Sequence, residues 1–288
     1  MPYNLPDGCA VKEYGVAAKR KTMDTIRKSV RNFVRSVKLF GVSGLKFAYH
    51  FYLCYFRDLN DGESKKITRI IYHVKGMRHK IFYRPHTSDV PLILNIFVGV
   101  KEYDIPVDPA KFDAILDLGA NIGLFSILYA YRFPGKKVVA VEPESENFRI
   151  LQKNVENGQI SVFTEKAGMW YRKSDLRVID HGNNWAFSVE EIDQEDRQVP
   201  DAVKGIDIDS LCDKYELKGG LLIKMDIEGS ERQIFEHIGE AKWLDRTAVL
   251  IMEIHDRPEG ELFRLICDTM GERGFKRTER GENIVFIR

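Results

Sequence analysis

Residues 112–126 read FDAILDLGANIGLFS. A short apolar run of Phe112, Ala114, Ile115 and Leu116 ends at Asp117. Gly119 and Gly123 punctuate a turn that holds Ala120 and Asn121, and a helical pattern of Leu124, Phe125, Ile127 and Leu128 starts at once. Strand, tight turn and helix in this order let an α/β sheet offer backbone N–H groups and a helix N-terminus to a ligand. One glycine suits a turn that needs positive φ; the other lets the backbone approach the ligand closely.

The glycine spacing separates two ligand classes. A dinucleotide fingerprint runs G-x-G-x-x-G. Here its third position is Asn121, and Gly123 falls one residue before its last. An acid followed by G-x-[GN]-x-G is instead the form of S-adenosylmethionine-dependent methyltransferases. The next strand, KKVVAVEP, ends at Glu142 with Pro143 stopping it. A carboxylate there can accept hydrogen bonds from both hydroxyls of a ribose. Asp117 stands where it can face the cofactor's ammonium or cap the turn. The expected cofactor contacts are therefore Asp117, the turn Gly119, Ala120, Asn121 and Gly123, and Glu142 with Pro143. Ala167 and Gly168 are expected at the adenine, and Asp226 at the cofactor's amino group. A nicotinamide-dependent oxidoreductase is the alternative on this unit. So is a ligand-binding module that kept the fold without the chemistry.

The 288 residues, 44% hydrophobic and 30% charged, are those of an ordinary globular chain, and a net charge of +1 makes no case for nucleic acid. Cys9, Cys54, Cys212 and Cys267 are far apart and form no CxxC pair, which suggests reduced thiols and a cytoplasmic protein. No signal-peptide pattern opens the chain, and the apolar run from Phe47 to Phe56 is too short to span a bilayer. Between Lys19 and Lys46 many Lys and Arg face a single acid, Asp24, while Ile26, Val30, Phe33, Val34 and Val37 recur at helical spacing. This predicts a basic amphipathic helix. Its two readings are a helix packed on the catalytic domain with a solvated cationic face, and contact with an anionic membrane surface or an acidic partner.

Residues 67–84 read as a hairpin turning near Gly76, and a helix starts near Thr87, Ser88 or Asp89 with Pro91 in its first turn. After the opening stretch, strands and helices alternate to the C-terminus. Residues 169–203 break the rhythm as an inserted strand or hairpin with loops, and GIDIDSLCDKYE enters a helix capped by Asp207 or Asp209. Residues 1–65 are expected to form an N-terminal basic extension, and 66–288 the catalytic domain with its lead-in.

LDLGANIGLFS, VVAVEPESENFRILQKNV, LLIKMDIEGSE and VLIMEIH, in this order and spacing, resemble the FkbM-type methyltransferases. RPHTSDVPLILNIFVGVKEYD resembles that family's lead-in, so the similarity runs from about Tyr83 onward; HGNNWAF, ending at Phe187, departs from it. The resemblance implies a class I, Rossmann-like methyltransferase fold: a mostly parallel seven-stranded sheet with helices on both faces. It further implies S-adenosylmethionine as cofactor and methylation of a hydroxyl, often on a saccharide or secondary metabolite.

Methyl transfer to a hydroxyl needs alignment, exclusion of water and an acceptor for the proton. The groups should come from the ends of LLIKMDIEG and VLIMEIH. His255, which titrates near neutrality, is expected as the general base, with Asp226 as the runner-up and Glu253 holding the ring or the acceptor. Lys224 is expected to pair with Asp226 or Glu253, since a buried lysine needs a partner. Glu228 and Glu231 suit a helix N-terminus as well as a site. Asp226, Glu228, Glu253 and His255 form an oxygen-rich set that a hard divalent ion also uses, an option the sequence does not favour.

Overall fold

A computed structural model describes residues 30–56, 67–74, 76–85, 87–98, 103–180, 187–192, 202–255 and 260–288. Residues 30–40 form helix α1, Gly41 and Val42 a turn, and Ser43–Phe56 helix α2. The one helix expected up to Lys46 is thus two; its part before residue 30 lies outside the described residues. The break has a local cause. Gly41 adopts φ +56°, in the left-handed region that L side chains avoid. Gly44 then lets α2 meet α1 backbone to backbone: a Cβ there would lie 2.5 Å from the carbonyl oxygen of Ser36.

The expected hairpin follows as β1 (Thr68–Val74) and β2 (Met77–Tyr83), then a short α3 (Asp89–Ile93). The α/β unit comprises β3 (Ala114–Leu118), α4 (Leu124–Arg132), β4 (Lys137–Val141), α5 (Ser145–Glu156) and β5 (Val162–Glu165). The insertion is larger than a hairpin. Strands β6 (Gly168–Met169), β7 (Ser174–Asp180), β8 (Phe187–Glu191) and β9 (Ala202–Ile206) form a second sheet in the order β6-β9-β7-β8. Most of HGNNWAF lies outside the described residues; Phe187 opens β8. The main sheet resumes through α6 (Ile208–Lys214), β10 (Leu221–Met225), α7 (Glu231–Glu236), α8 (Lys242–Arg246), β11 (Thr247–Met252), α9 (Glu261–Glu272), β12 (Lys276–Arg280) and β13 (Asn283–Ile287). Asp207 caps α6 by accepting from Ser210 N–H at 2.7 Å, one of the two caps expected.

The main sheet has seven strands in the order β12-β13-β11-β10-β3-β4-β5. All neighbours are parallel except β13 against β11 and β12. Strands β3 and β10 are buried at every position, as parallel strands covered on both faces must be. Ala114, Leu116 and Leu118 of β3 pack with α6, α7, α8 and α9 on one face. Ile115 packs with Phe125 and Tyr129 of α4 on the other. This is the layered α/β sheet that the sequence predicts. The chain leaves β3 towards β4 on one side and later returns to lay β10 on its other side. The ends of β3 and β10 therefore flank a topological switch point, where open α/β sheets bind ligands. No helix among the described residues is long and apolar enough to cross a membrane.

Candidate active site

The turn after β3 is built by close approach. Gly119 has φ +76°, and a Cβ on it would fall 1.7 Å from the carbonyl oxygen of Asp226 at the end of β10. The Gly119 and Ala120 N–H groups donate to the Val141 carbonyl at 3.0 and 2.9 Å. Gly123, at φ +85°, is the N-cap of α4. Asp117 lies underneath: its Oδ2 accepts from the backbone N–H of Ser126 at 3.1 Å and from its hydroxyl at 2.6 Å. Its other oxygen has no hydrogen bond among the described residues and faces Lys224 Nζ at 3.7 Å. Burial raises the Asp117 pKa, with Lys224 opposing. Asp117 lines neither cavity described below; it supports the turn from beneath.

Glu142 is buried beside this turn. Its Oε2 accepts from Asn121 N–H at 2.8 Å and its Oε1 from Glu144 N–H at 3.0 Å, and each oxygen keeps a lone pair. Burial pushes its carboxyl up to about 7, and these two backbone hydrogen bonds hold it from going higher. A narrow cavity of about 50 Å³ opens here, bordered by Gly119, Asn121, Glu142, Pro143, Ala167 and Asp226. Met169 of β6 with Phe187 and Val189 of β8 supply its apolar wall. Gly168 is outside the lining: a Cβ there would meet Leu176 at 2.7 Å and Val189 at 3.2 Å. Ser230 borders the same cavity with a buried hydroxyl that has no hydrogen-bond partner among the described residues.

A second cavity of about 450 Å³ lies on the other side of the turn. Pro91, Leu92, Ile96 and Phe125 give it apolar walls, and Lys224, Asp226, Glu228, Glu253 and Glu282 its charged floor. Gly119, Asn121, Asp226 and Glu228 line both cavities, so the two meet at the ends of β3 and β10.

The floor is an ion-pair network. Lys224 Nζ donates to the Gly119 carbonyl at 2.7 Å and lies 3.1 Å from Asp226. Burial alone would lower its pKa; the charges of Asp226 and Asp117 override this and raise it. His255 Nδ1 donates to Oε1 of Glu231 at 2.9 Å. Glu231, at the start of α7 and fully buried, also accepts from Gly229 N–H at 2.7 Å. Nε2 of His255 faces Glu228 at 3.3 Å, Glu253 at 3.7 Å and Asp226 at 3.8 Å. Burial would lower the His255 pKa, but the Glu231 hydrogen bond and the surrounding carboxylates carry it up to about 9. Glu253 is pushed up to about 7, by burial first and then by the charge of Asp226.

The structure thus joins Asp226, Glu253 and His255, the three residues expected to carry chemistry, and adds Glu231 as the partner that sets the ring. One donor atom from each of Asp226, Glu228 and His255 falls within 4.8 Å of the others. A proton on His255 and an ion would compete for the same Nε2 lone pair. A group whose folded pKa is raised stabilises the fold below its unfolded pKa and loses that contribution as pH rises through the folded one. His255 should contribute fully below 6.5 and lose its contribution by about 9. The melting temperature should fall across that window, and His255→Gln should flatten the fall; an unchanged slope would refute this assignment.

The family model described as the methyltransferase FkbM domain matches residues 117–277. The 31-O-demethyl-FK506 methyltransferase FkbM of Streptomyces tacrolimicus is 29% identical over 175 residues, which cover 50% of this chain and 66% of that protein. Methyltransferase 1 of Beauveria bassiana (strain ARSEF 2860) is 25% identical over 181 residues, covering 56% of this chain and 71% of that one. The crystal structure of methyltransferase FkbM from Methylobacillus flagellatus KT aligns with TM-score 0.40 at 16% identity, over 69% of this chain and 53% of that chain. The family match begins in β3 and ends in β12, taking in Glu142, Asp226, Glu231 and His255 on its way, and by it the chain belongs to the FkbM methyltransferase family.

Proposed function

We propose that the chain transfers a methyl group from S-adenosylmethionine to a hydroxyl of a saccharide or glycoconjugate. The observation that carries this reading is the meeting of the two cavities at Gly119, Asn121, Asp226 and Glu228. The lining of the narrow cavity, Glu142 above all, suits the ribose of a cofactor, the larger cavity suits an acceptor, and the shared residues stand between the two. The residues fit the cofactor: Glu142 keeps lone pairs for ribose hydroxyls, and the unpartnered Ser230 hydroxyl borders the same space.

S-adenosylmethionine supplies a methyl group already activated on a sulfonium. The chain supplies the rest. Asp226 and Glu228 place negative charge at the junction, where a cation is favoured in surroundings of low polarity. His255 stands behind the floor of the acceptor cavity, its Nε2 facing the lining carboxylates Glu228, Glu253 and Asp226, and in its neutral form it takes the hydroxyl proton by way of them. Glu231 holds the Nδ1–H tautomer that leaves Nε2 free for this. Carboxylates accept hydrogen bonds from sugar hydroxyls, and the apolar walls suit the C–H faces of a ring or an attached aglycone.

Mass spectrometry of labelled methyl transfer to a panel of glycans and glycosides tests the acceptor class. A thermal-shift series with S-adenosylmethionine, S-adenosylhomocysteine and NAD tests the cofactor; stabilisation by NAD alone would overturn the reading. Glu142→Ala should weaken S-adenosylmethionine binding in calorimetry by about ten- to a hundredfold, the loss of hydrogen bonds to a charged group. An unchanged affinity would remove the ribose from Glu142.

A further inference from the structure

Helices α1 and α2 are apolar on the outside. Among the described residues, Phe163 is the one exposed large apolar side chain outside this helical pair. Val30, Phe33 and Val34 form an outward stripe on α1, and Leu45, Tyr49 and Tyr52 form one on α2, both at helical spacing. Val42, in the turn between them, is 84% exposed. The inward face of α1 buries the polar Asn32 and Ser36 beside Phe40, while Val30, Phe33 and Val34 stay outside among Arg31, Arg35 and Lys38. A helix that only packs on its own domain shows the reverse, apolar side in and polar side out. The pair is firmly held, so the exposure is not that of a loose segment. Phe40 and Phe47 enter the same core cluster as β1, β2 and α4. His50 Nδ1 meets the Tyr83 hydroxyl at 2.7 Å, and Arg35 donates to the Val98 carbonyl at 3.2 Å.

We propose that this outer face docks on an anionic lipid bilayer. Exposed Arg31, Arg35 and Lys38 flank the apolar stripe on α1. The sequence from Lys19 to Lys46 carries a single acid, Asp24, so the charge complements anionic headgroups. Phe and Tyr beside Lys and Arg is the composition of interfacial helices, whose rings seat at headgroup level while the cations stay in the water. An apolar groove of about 250 Å³ between the helices, bordered by Phe33, Ala48, Phe51 and Leu94, can receive acyl carbon. Leu94 directly follows α3, and Leu92 and Ile96 wall the acceptor cavity. One short segment therefore borders both the groove and the cavity. Docking here would present the acceptor cavity near the membrane surface.

This inference does not rest on the methyl-transfer reading, and its test needs no turnover. The full chain is sedimented with vesicles of phosphatidylcholine alone and of phosphatidylcholine mixed with phosphatidylglycerol. Binding is expected to the mixed vesicles, to weaken as salt is raised. Charge reversal in the Arg31→Glu, Lys38→Glu double variant should lower the partition at least about thirtyfold. The Val34→Asp, Tyr49→Asp double variant should lose binding while keeping the wild-type melting temperature. If it fails to fold, the charge-reversal pair, altered only at exposed positions, carries the test. The proposal is overturned if the chain stays in the supernatant with both vesicle types, or if it binds both equally. It is also overturned if the charge-reversed chain pellets as the wild type does. A concentration-dependent dimer in ultracentrifugation, abolished by Val34→Asp, Tyr49→Asp and unaccompanied by vesicle binding, would assign the face to a second copy instead.

Discussion

Turnover of the His255→Gln variant is expected to fall by about a hundred- to ten-thousandfold, the range a general base contributes. Affinity for S-adenosylmethionine should change little, because His255 borders neither the turn nor Glu142. The ring sits among Glu231, Glu228, Glu253 and Asp226, and its pKa of about 9 keeps it charged at neutral pH. A base held that way is strong but seldom free. The rate in the wild type should therefore climb with pH, approaching a plateau above about 9. Glu231→Gln removes the charge that raises the ring and leaves only a neutral hydrogen-bond acceptor, so the climb should move to lower pH while the plateau falls. A merely structural role for Glu231 would lower the rate without moving the profile. Should His255→Gln keep wild-type turnover while Asp226→Asn loses it, the base is Asp226.

Gly119→Ala should be the most disruptive single added methyl group among the described glycines. A left-handed residue with a Cβ costs about 1–2 kcal/mol, and forcing carbon into a filled site about 1–3 more. At Gly119 both apply, since the added carbon would stand 1.7 Å from the Asp226 carbonyl. The sum, about 2–5 kcal/mol, should appear in urea unfolding. Methyl transfer should be lost with it, because the end of β10 must retreat and take Asp226 along. Gly76→Ala is the control: φ there is +78°, but nothing lies within 4 Å of the new carbon. It should show the backbone strain alone. Equal destabilisation of the two variants would mean that β3 and β10 do not approach as closely as this.

The residues most readily placed from sequence are those whose roles follow from short spacing. The hairpin about Gly76, the cap at Asp207 and the turn Gly119–Gly123 each depend on neighbours within a few positions. Asp117 shows where such reasoning divides. Its place before the turn suits a cofactor contact and a cap alike, and only the 2.6 Å bond to the Ser126 hydroxyl tells which the free chain uses. Gly168 shows it again: a small residue after a strand is compatible with an adenine pocket, yet Leu176 and Val189 of the inserted sheet occupy that side. The signal for Glu231 was present in LLIKMDIEGSE, where it closes the polar end of that stretch. Its partner was not, because His255 lies 24 positions away and comes within 2.9 Å only when α7 packs beside the end of β11.

The sequence by itself determined the alternation of strands and helices, the glycine spacing that favours one cofactor class, and the two strand ends where polar residues gather. These are local properties: side-chain periodicity, turn chemistry and breakers act over a few residues and survive without knowledge of the rest. The tertiary structure decided the strand order that puts β3 beside β10, and so the junction of two cavities at Gly119 and Asp226. It decided the charge state of His255, which follows from carboxylates contributed by separate segments and from burial. It also decided that α1 turns its apolar stripe outward, since amphipathicity specifies that a helix has two faces and only packing specifies which one is covered.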